Sequence, residues 1–379
     1  MSIRVVSVTV VLVVLAVVVA VTVRGRSPAD GASDRRAHDA GRRFLETYVA
    51  ADGRVVRRDQ GGDTVSEGQS YGMLIAVALG DEDAFRQIWW WTRTRLQRGD
   101  GLLSYRWADG SVTDPSPAAD ADLDAAHALL LAAERFDDPM LADDALQIAE
   151  GVLAEETLQL PVPTAGAGEA GEATAAGPGR VLMAGPWAQP QSRGTQHLVV
   201  NPSYFSQRAY AALAAATNDR AWTVLEASSY ELLRALTDGG ALPPDWAALD
   251  LSGGIRPIGR PDKPDARPFH GLDAARVTIR VAASCEPSWR ELAAAAARTY
   301  PAPEDIRTRL RLDGRPANEH RHPVMLVAAA AAAHAAGEAS ATRTLDAAER
   351  LERRHPSYYG AAWLALGRLW LAAPPSPCP

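Results

Sequence analysis

The chain has 379 residues, 47% hydrophobic and 22% charged, so a domain of about 300 residues can bury roughly three quarters of its unfolded surface and wholesale disorder is excluded. Lys+Arg 39 against Asp+Glu 46 gives a net charge of -7, with one lysine, Lys263, and no basic run of the kind that neutralises phosphates, which argues against a nucleic-acid partner. Two cysteines, Cys285 and Cys378, exclude a disulfide scaffold and a multi-cysteine zinc site.

From the N-terminus, Val5 to Val23 is an apolar run broken only by Ser7, Thr9 and Thr22, long enough for a bilayer core of ~30 Å. It is a signal peptide or a membrane anchor. Val18-Val19-Ala20 resembles a cleavage site, yet only Arg4 precedes the run and the run continues past Ala20, which favours the anchor. Arg24 and Arg26 by themselves would hold that side in the cytoplasm. Export, to the cell surface or the medium, is nevertheless the expectation. It would permit a Cys285–Cys378 bridge, the alternative being a buried thiol and a free tail thiol. We assign 1–26 to this segment, 27–37 to a linker, 38–373 to one domain and 374–379 to a tail.

The rest reads as Ala/Leu-rich helices separated by short Gly, Pro or Asp breaks: 34–50, 69–79, 81–98, 121–135, 139–156, 203–217, 219–236, 271–283, 288–299, 303–311, 323–336, 339–353 and 357–372. Strands have little room. An insertion at about 160–195 contains Thr164–Arg180, almost wholly Ala, Gly, Glu, Thr and Pro, and reads as a flexible exposed loop. The series suits an all-α array of helical hairpins, as an open solenoid or a closed ring.

Three carboxylate groupings are candidates for chemistry. In Val65-Ser66-Glu67-Gly68-Gln69-Ser70-Tyr71, Ser66 and Gln69 have capping-box spacing, which leaves Glu67 unexplained as a helix-start residue. The helix dipole would lower its pKa and burial against Tyr71 would raise it; a general acid needs burial to win. In Asp120-Ala121-Asp122-Leu123-Asp124 a calcium loop is rejected, because Ala125 and Leu131 stand where glycine and glutamate are required. On a helix Asp120 and Asp124 share a face and Asp122 points away. Asp273 and Arg276 lie three apart; a buried pair would keep Asp273 ionised, as a general base must be, whereas an exposed pair is a minor surface contact.

Ten tryptophans include Trp89-Trp90-Trp91 and Trp107; three consecutive residues cannot all face the core, and an exposed indole suits a pyranose face. The histidines show no HExxH spacing, and no G-x-S-x-G elbow or phosphate loop occurs, so neither metal nor cofactor is expected.

These residues resemble the bacterial family 8 glycoside hydrolases, particularly the endoglucanases found with cellulose-synthase systems. SEGQSYGM (Ser66–Met73) is similar to the family's general-acid motif and AADADLDAAHALL (Ala118–Leu130) to its second signature. NPSYF (Asn201–Phe205), LPPDW (Leu242–Trp246), LDAAR (Leu272–Arg276) and SYYGAAWLAL (Ser357–Leu366) follow in the family's order. The resemblance covers about 38–372, apart from 160–195 and 250–268.

The resemblance implies an (α/α)6 barrel of inner and outer helices and an inverting endo-β-1,4-glucanase acting on cellulose or a related exopolysaccharide. It makes Glu67 the proton donor, Asp120 the residue that positions sugar and water, and Asp273 the base. Gln69, Tyr71, Trp107, Tyr204 and Arg276 are the substrate-binding candidates, and an exopolysaccharide synthase is the implied neighbour. Ala119 replaces the usual Ser or Thr, Leu272 replaces an aromatic residue, and Val277–Arg280 lacks aromatics, which removes one stacking platform. The alternatives are a member acting on lichenan, xylan or chitosan, a non-hydrolytic glycan-binding barrel, and a scaffold.

Overall fold

The computed structural model describes residues 28–163, 176–190 and 197–372. Val5–Val23 and Cys378 lie outside them, so the anchor and the disulfide do as well. Among the described residues no helix is long and apolar enough to cross a membrane.

Twelve α-helices occur among the described residues: α1 (Pro28–Tyr48), α2 (Ser66–Leu79), α3 (Glu82–Arg95), α4 (Ala119–Arg135), α5 (Pro139–Glu155), α6 (Gln207–Thr217), α7 (Arg220–Leu236), α8 (Leu272–Ala282), α9 (Pro287–Ala297), α10 (Pro323–Ala335), α11 (Ser340–Arg354) and α12 (Tyr358–Ala372). They alternate between an outer and an inner ring. The even-numbered helices are inner; α10 is buried from Pro323 to Ala333, and its alanines allow neighbours to approach closely. The odd-numbered helices bury one face, as α11 does with Ala341, Thr344, Ala348 and Leu351. Helix α12 packs on α1 and α2, bringing the end of the series back to its start. This is the (α/α)6 barrel, a closed ring rather than an open solenoid.

The structure corrects four expectations. Helix α1 already covers the described residues from Pro28 on, so most of the expected linker is helix. No helix forms over 303–311. Pro301 and Pro303 remove two donors there, and Leu310 bridges both His270 and Pro316.

Strands also occur, in three small antiparallel sheets: β1 (Thr64–Val65), β2 (Arg106–Ala108) and β3 (Ser111–Asp114); β4 (Thr157–Pro163) with β5 (Ala176–Leu182); and β6 (His197–Val200), β7 (Trp246–Asp250) and β8 (Ile255–Ile258). The β4–β5 pairing overturns the loop assignment at its described ends. Register runs from Thr157↔Leu182 to Pro163↔Ala176. Strand β5 docks on α7, where the Ser228 hydroxyl accepts from the Arg180 N–H, and Gly179 is required because a Cβ would sit 2.7 Å from that hydroxyl. The fourth correction is the capping box. Ser66 lies inside α2 with its hydroxyl buried and without a partner among the described residues, while the Gln69 side chain leaves the helix end altogether.

Candidate active site

Short extended segments deliver the site residues to one place. Strand β1 ends at Val65 and α2 starts immediately, which puts Glu67 in its first turn; the Ser66 N–H is tied to the Tyr105 carbonyl. Helix α4 supplies Asp120 from its first turn, and Ser70 Oγ on α2 donates to the Ala121 carbonyl at 2.7 Å, fixing the two helix starts to each other. Strand β6 runs into Asn201, Ser203 and Tyr204, and α8 supplies Asp273 and Arg276.

Arg276 is the centre. It is 2% exposed, and its Nη1 donates to Asp120 Oδ2 (2.6 Å), Glu67 Oε1 (2.8 Å) and Tyr71 OH (3.0 Å). Its Nη2 donates to Ser203 Oγ at 2.7 Å and lies 3.6 Å from Asp273 Oδ1. A second path joins the same groups: Ser203 Oγ donates to Asn201 Oδ1 (2.7 Å), and Asn201 Nδ2 reaches Asp273 Oδ2 at 3.5 Å. The Tyr204 ring faces the guanidinium at 5.5 Å. One cation thus holds three carboxylates in fixed relation, with the planar fork that only arginine offers.

Exposure separates the three. Asp273 is 37% exposed at its side chain and Glu67 23%, whereas Asp120 is 1% exposed. Burial pushes the Asp120 carboxyl well above its usual range, the nearby Glu67 charge adds to this, and Arg276 opposes it. Asp273 is also raised, by burial first, with Arg276 opposing and Glu67 adding. The Asp273–Arg276 pair is thus buried on the arginine side only, and the guanidinium, which still favours the charged form of Asp273, makes its short bonds to the other two carboxylates.

The aspartates of α4 divide between two faces, as their spacing predicts. Asp124, one turn below Asp120, makes a buried bidentate pair with Arg280 (2.7 and 2.6 Å), one turn below Arg276. Asp122 points away and accepts from the Leu103 N–H.

Comparison with known proteins decides the family. The profile of Glycosyl hydrolases family 8 matches residues 28–285. The chain belongs to glycosyl hydrolase family 8. A probable endoglucanase of Novacetimonas hansenii is 33% identical over 243 residues, 62% of this chain and 64% of that protein. An endoglucanase of Cellulomonas uda is 30% identical over 250 residues, 65% and 63% of the two chains. The matches thus span just under two thirds of these curated relatives. The solved endo-β-1,4-glucanase CMCax from Acetobacter xylinum superposes with a TM-score of 0.71 at 27% identity, covering 88% of this chain and 97% of that one.

Within this family 8 barrel, two substrate-binding candidates are corrected. Gln69 is fully buried; its side chain accepts from the Val55 N–H and donates to Thr92 Oγ1, joining α2 to α3 and the 53–55 turn. Tyr71 is also buried, donating to Glu67 Oε1 and accepting from Arg276, so its hydroxyl supports these two side chains instead of being open to a ligand. Asp120 has both oxygens engaged, by its own helix start at Ala121 and by Arg276.

Trp107 is half-buried on β2, edge-on to Trp91 with Arg95 over its ring. Trp89 and Trp91 are core and Trp90 is 60% exposed, the split that consecutive helical positions require. Sequence reading missed Asn201, Ser203 and Tyr359. The first two stand in the motif from which only Tyr204 was singled out. Tyr359, whose hydroxyl donates to the Leu272 carbonyl, stands in the late segment cited for family order alone.

Proposed function

We propose that the chain is an inverting endo-β-1,4-glucanase acting on cellulose or a closely related β-glucan. The observation that carries this is the placement of two partly exposed carboxylates, Glu67 and Asp273, on the two ends of the Arg276 fork. Two carboxylates flanking one fixed cation support a reading in which one is the acid and the other the base, a pair that inverting enzymes typically hold ~6.5–9.5 Å apart to admit a water. The names of the relatives, endoglucanases in each case reported above, supply the bond type.

In this reading the Glu67 carboxyl gives its proton to the glycosidic oxygen as the bond to the anomeric carbon breaks. Only Oε1 of Glu67 is engaged among the described residues, which leaves Oε2 to carry that proton. Asp273 removes a proton from the water whose oxygen bonds to the anomeric carbon from the other face. The products are a free hydroxyl end and an α-configured reducing end, and solvent returns the proton from Asp273 to Glu67. Tyr204 borders the water's position. The run Val5–Val23 exports the chain in this reading, which places the cleft where exopolysaccharide is made, beside a synthase.

The test is incubation with carboxymethyl-cellulose, lichenan, xylan and chitosan, following new reducing ends and the first anomer by NMR. Early α-anomer from carboxymethyl-cellulose supports the proposal. Early β-anomer refutes inversion, preference for another polymer reassigns the substrate, and saturable binding without turnover supports the glycan-binding alternative.

A further inference from the structure

Helix α8 carries both Asp273 and Arg276 in its first turns, yet it starts at Gly271, which has no side chain to cap it. The cap comes from elsewhere. Asp245 Oδ1 accepts from the Gly271 N–H at 2.9 Å and from the Ala274 N–H at 2.8 Å. These are the two donors that a capping box satisfies with two residues, here taken by one carboxyl from a distant loop. The fit admits only glycine at 271, since a Cβ would stand 2.4 Å from Asp245 Oδ2.

The loop that presents Asp245 is itself fixed to α8. The Asp245 N–H donates to the Phe269 carbonyl, and His270 Nδ1 bonds the Pro243 carbonyl at 2.9 Å. His270 Nε2 meets Tyr300 OH at 2.9 Å, and that hydroxyl meets Thr278 Oγ1 of α8 at 3.0 Å. Asp273 and Arg276 lie between these two ties.

We propose that Asp245 is a positioning residue of the active site: by capping α8 in trans it fixes the direction of the turn that carries Asp273 and Arg276. It touches no reacting atom and acts through those two residues, so the inference rests on the roles proposed for them. Burial beside Asp273 pushes the Asp245 carboxyl up to about 7. Below that pH the cap is made by a neutral carboxyl, and an amide carbonyl is a close substitute.

The experiment compares the full chain with its Asp245→Ala and Asp245→Asn variants on the polymer the unaltered chain hydrolyses, with folding checked by circular dichroism. A shift of about 1 Å in the reacting groups costs on the order of 100-fold, so Asp245→Ala is expected to lower kcat by about 30- to 100-fold with KM within about threefold. Asp245→Asn, which keeps the acceptor, is expected to stay within about threefold of the unaltered kcat. A folded Asp245→Ala protein with unchanged kcat overturns the inference. If the alanine variant does not fold, the asparagine variant decides alone: a loss above about tenfold in kcat overturns it and near-full activity supports it. Failure of the unaltered chain to cleave any polymer counts instead against the proposed function.

Discussion

Arg276 answers to three carboxylates with a single charge, and its geometry decides how that charge is divided. Nη1 takes Glu67, Tyr71 and Asp120, while Nη2 takes Ser203 and stands off from Asp273. A lysine at 276 would place one compact ammonium near one of these groups and leave the rest unbridged. Arg276→Lys is therefore expected to lower kcat by about 100-fold or more in a protein that still folds, read by steady-state kinetics. The same division sets the pH response. In its proposed role as base Asp273 works ionised, and its folded-state pKa is raised, so activity is expected to fall on the acid side as pH drops through that raised value. The acid limb of kcat/KM is expected above ~3.9, the ordinary aspartate value, and a limb at or below it would refute the raised Asp273.

At the scale of elements, α4 shows what spacing can reveal. Residues 120, 122 and 124 alternate between the barrel interior and the outer side, and the two inward aspartates meet two arginines at matching spacing on α8. The outward one acts electrostatically on a second carboxylate, Glu156. Asp122 and Glu156 are both fully buried, and Asp122 Oδ2 and both Glu156 oxygens lack a protein partner among the described residues. Burial raises both well above the ordinary range, and the Asp122 charge raises Glu156 further. The sign follows: a pKa raised on folding gives a stabilisation that is present below the unfolded value and lost as pH rises through the folded value. Glu156→Gln is expected to raise the thermal midpoint by a few degrees at pH 8 and to change it little at pH 4, by thermal melts at both.

Local pattern thus located the inner carboxylates and nearly every helix. It did not reveal groups whose partners are remote in sequence. Gln69 has the spacing of a capping box, but the Val55 N–H and Thr92 hydroxyl, known only once the chain folds, take its side chain instead. Asn201 and Ser203 likewise matter only because Arg276 arrives from another helix.

For the whole molecule, the ring is complete only when α1 meets α12 and α11. Phe44 and Tyr48 of α1 lie 6.3 and 5.9 Å, ring to ring, from Tyr358 at the head of α12. At the other end of this seam Arg36 and Arg43 of α1 bind Asp346 and Glu349 of α11, and the buried Arg368 of α12 binds the same two carboxylates. Removing α1 would expose the apolar side of α12, including Leu364 beside Ala40 and Phe44 at the seam. It would also leave Asp346 and Glu349 with fewer cations. Most of this closure is apolar burial, at roughly 25 cal/mol per Å², with the ion pairs of the exposed Arg36 and Arg43 on a rim where salt screens them. A chain starting at Pro28 is therefore expected to melt in one cooperative transition and keep full activity. One starting at Val49 is expected to lose both, by calorimetry and reducing-end assay, even though every residue of the proposed catalytic machinery is still present. Full activity in the shorter chain would show that eleven helices suffice and that α1 is an appendage to the barrel.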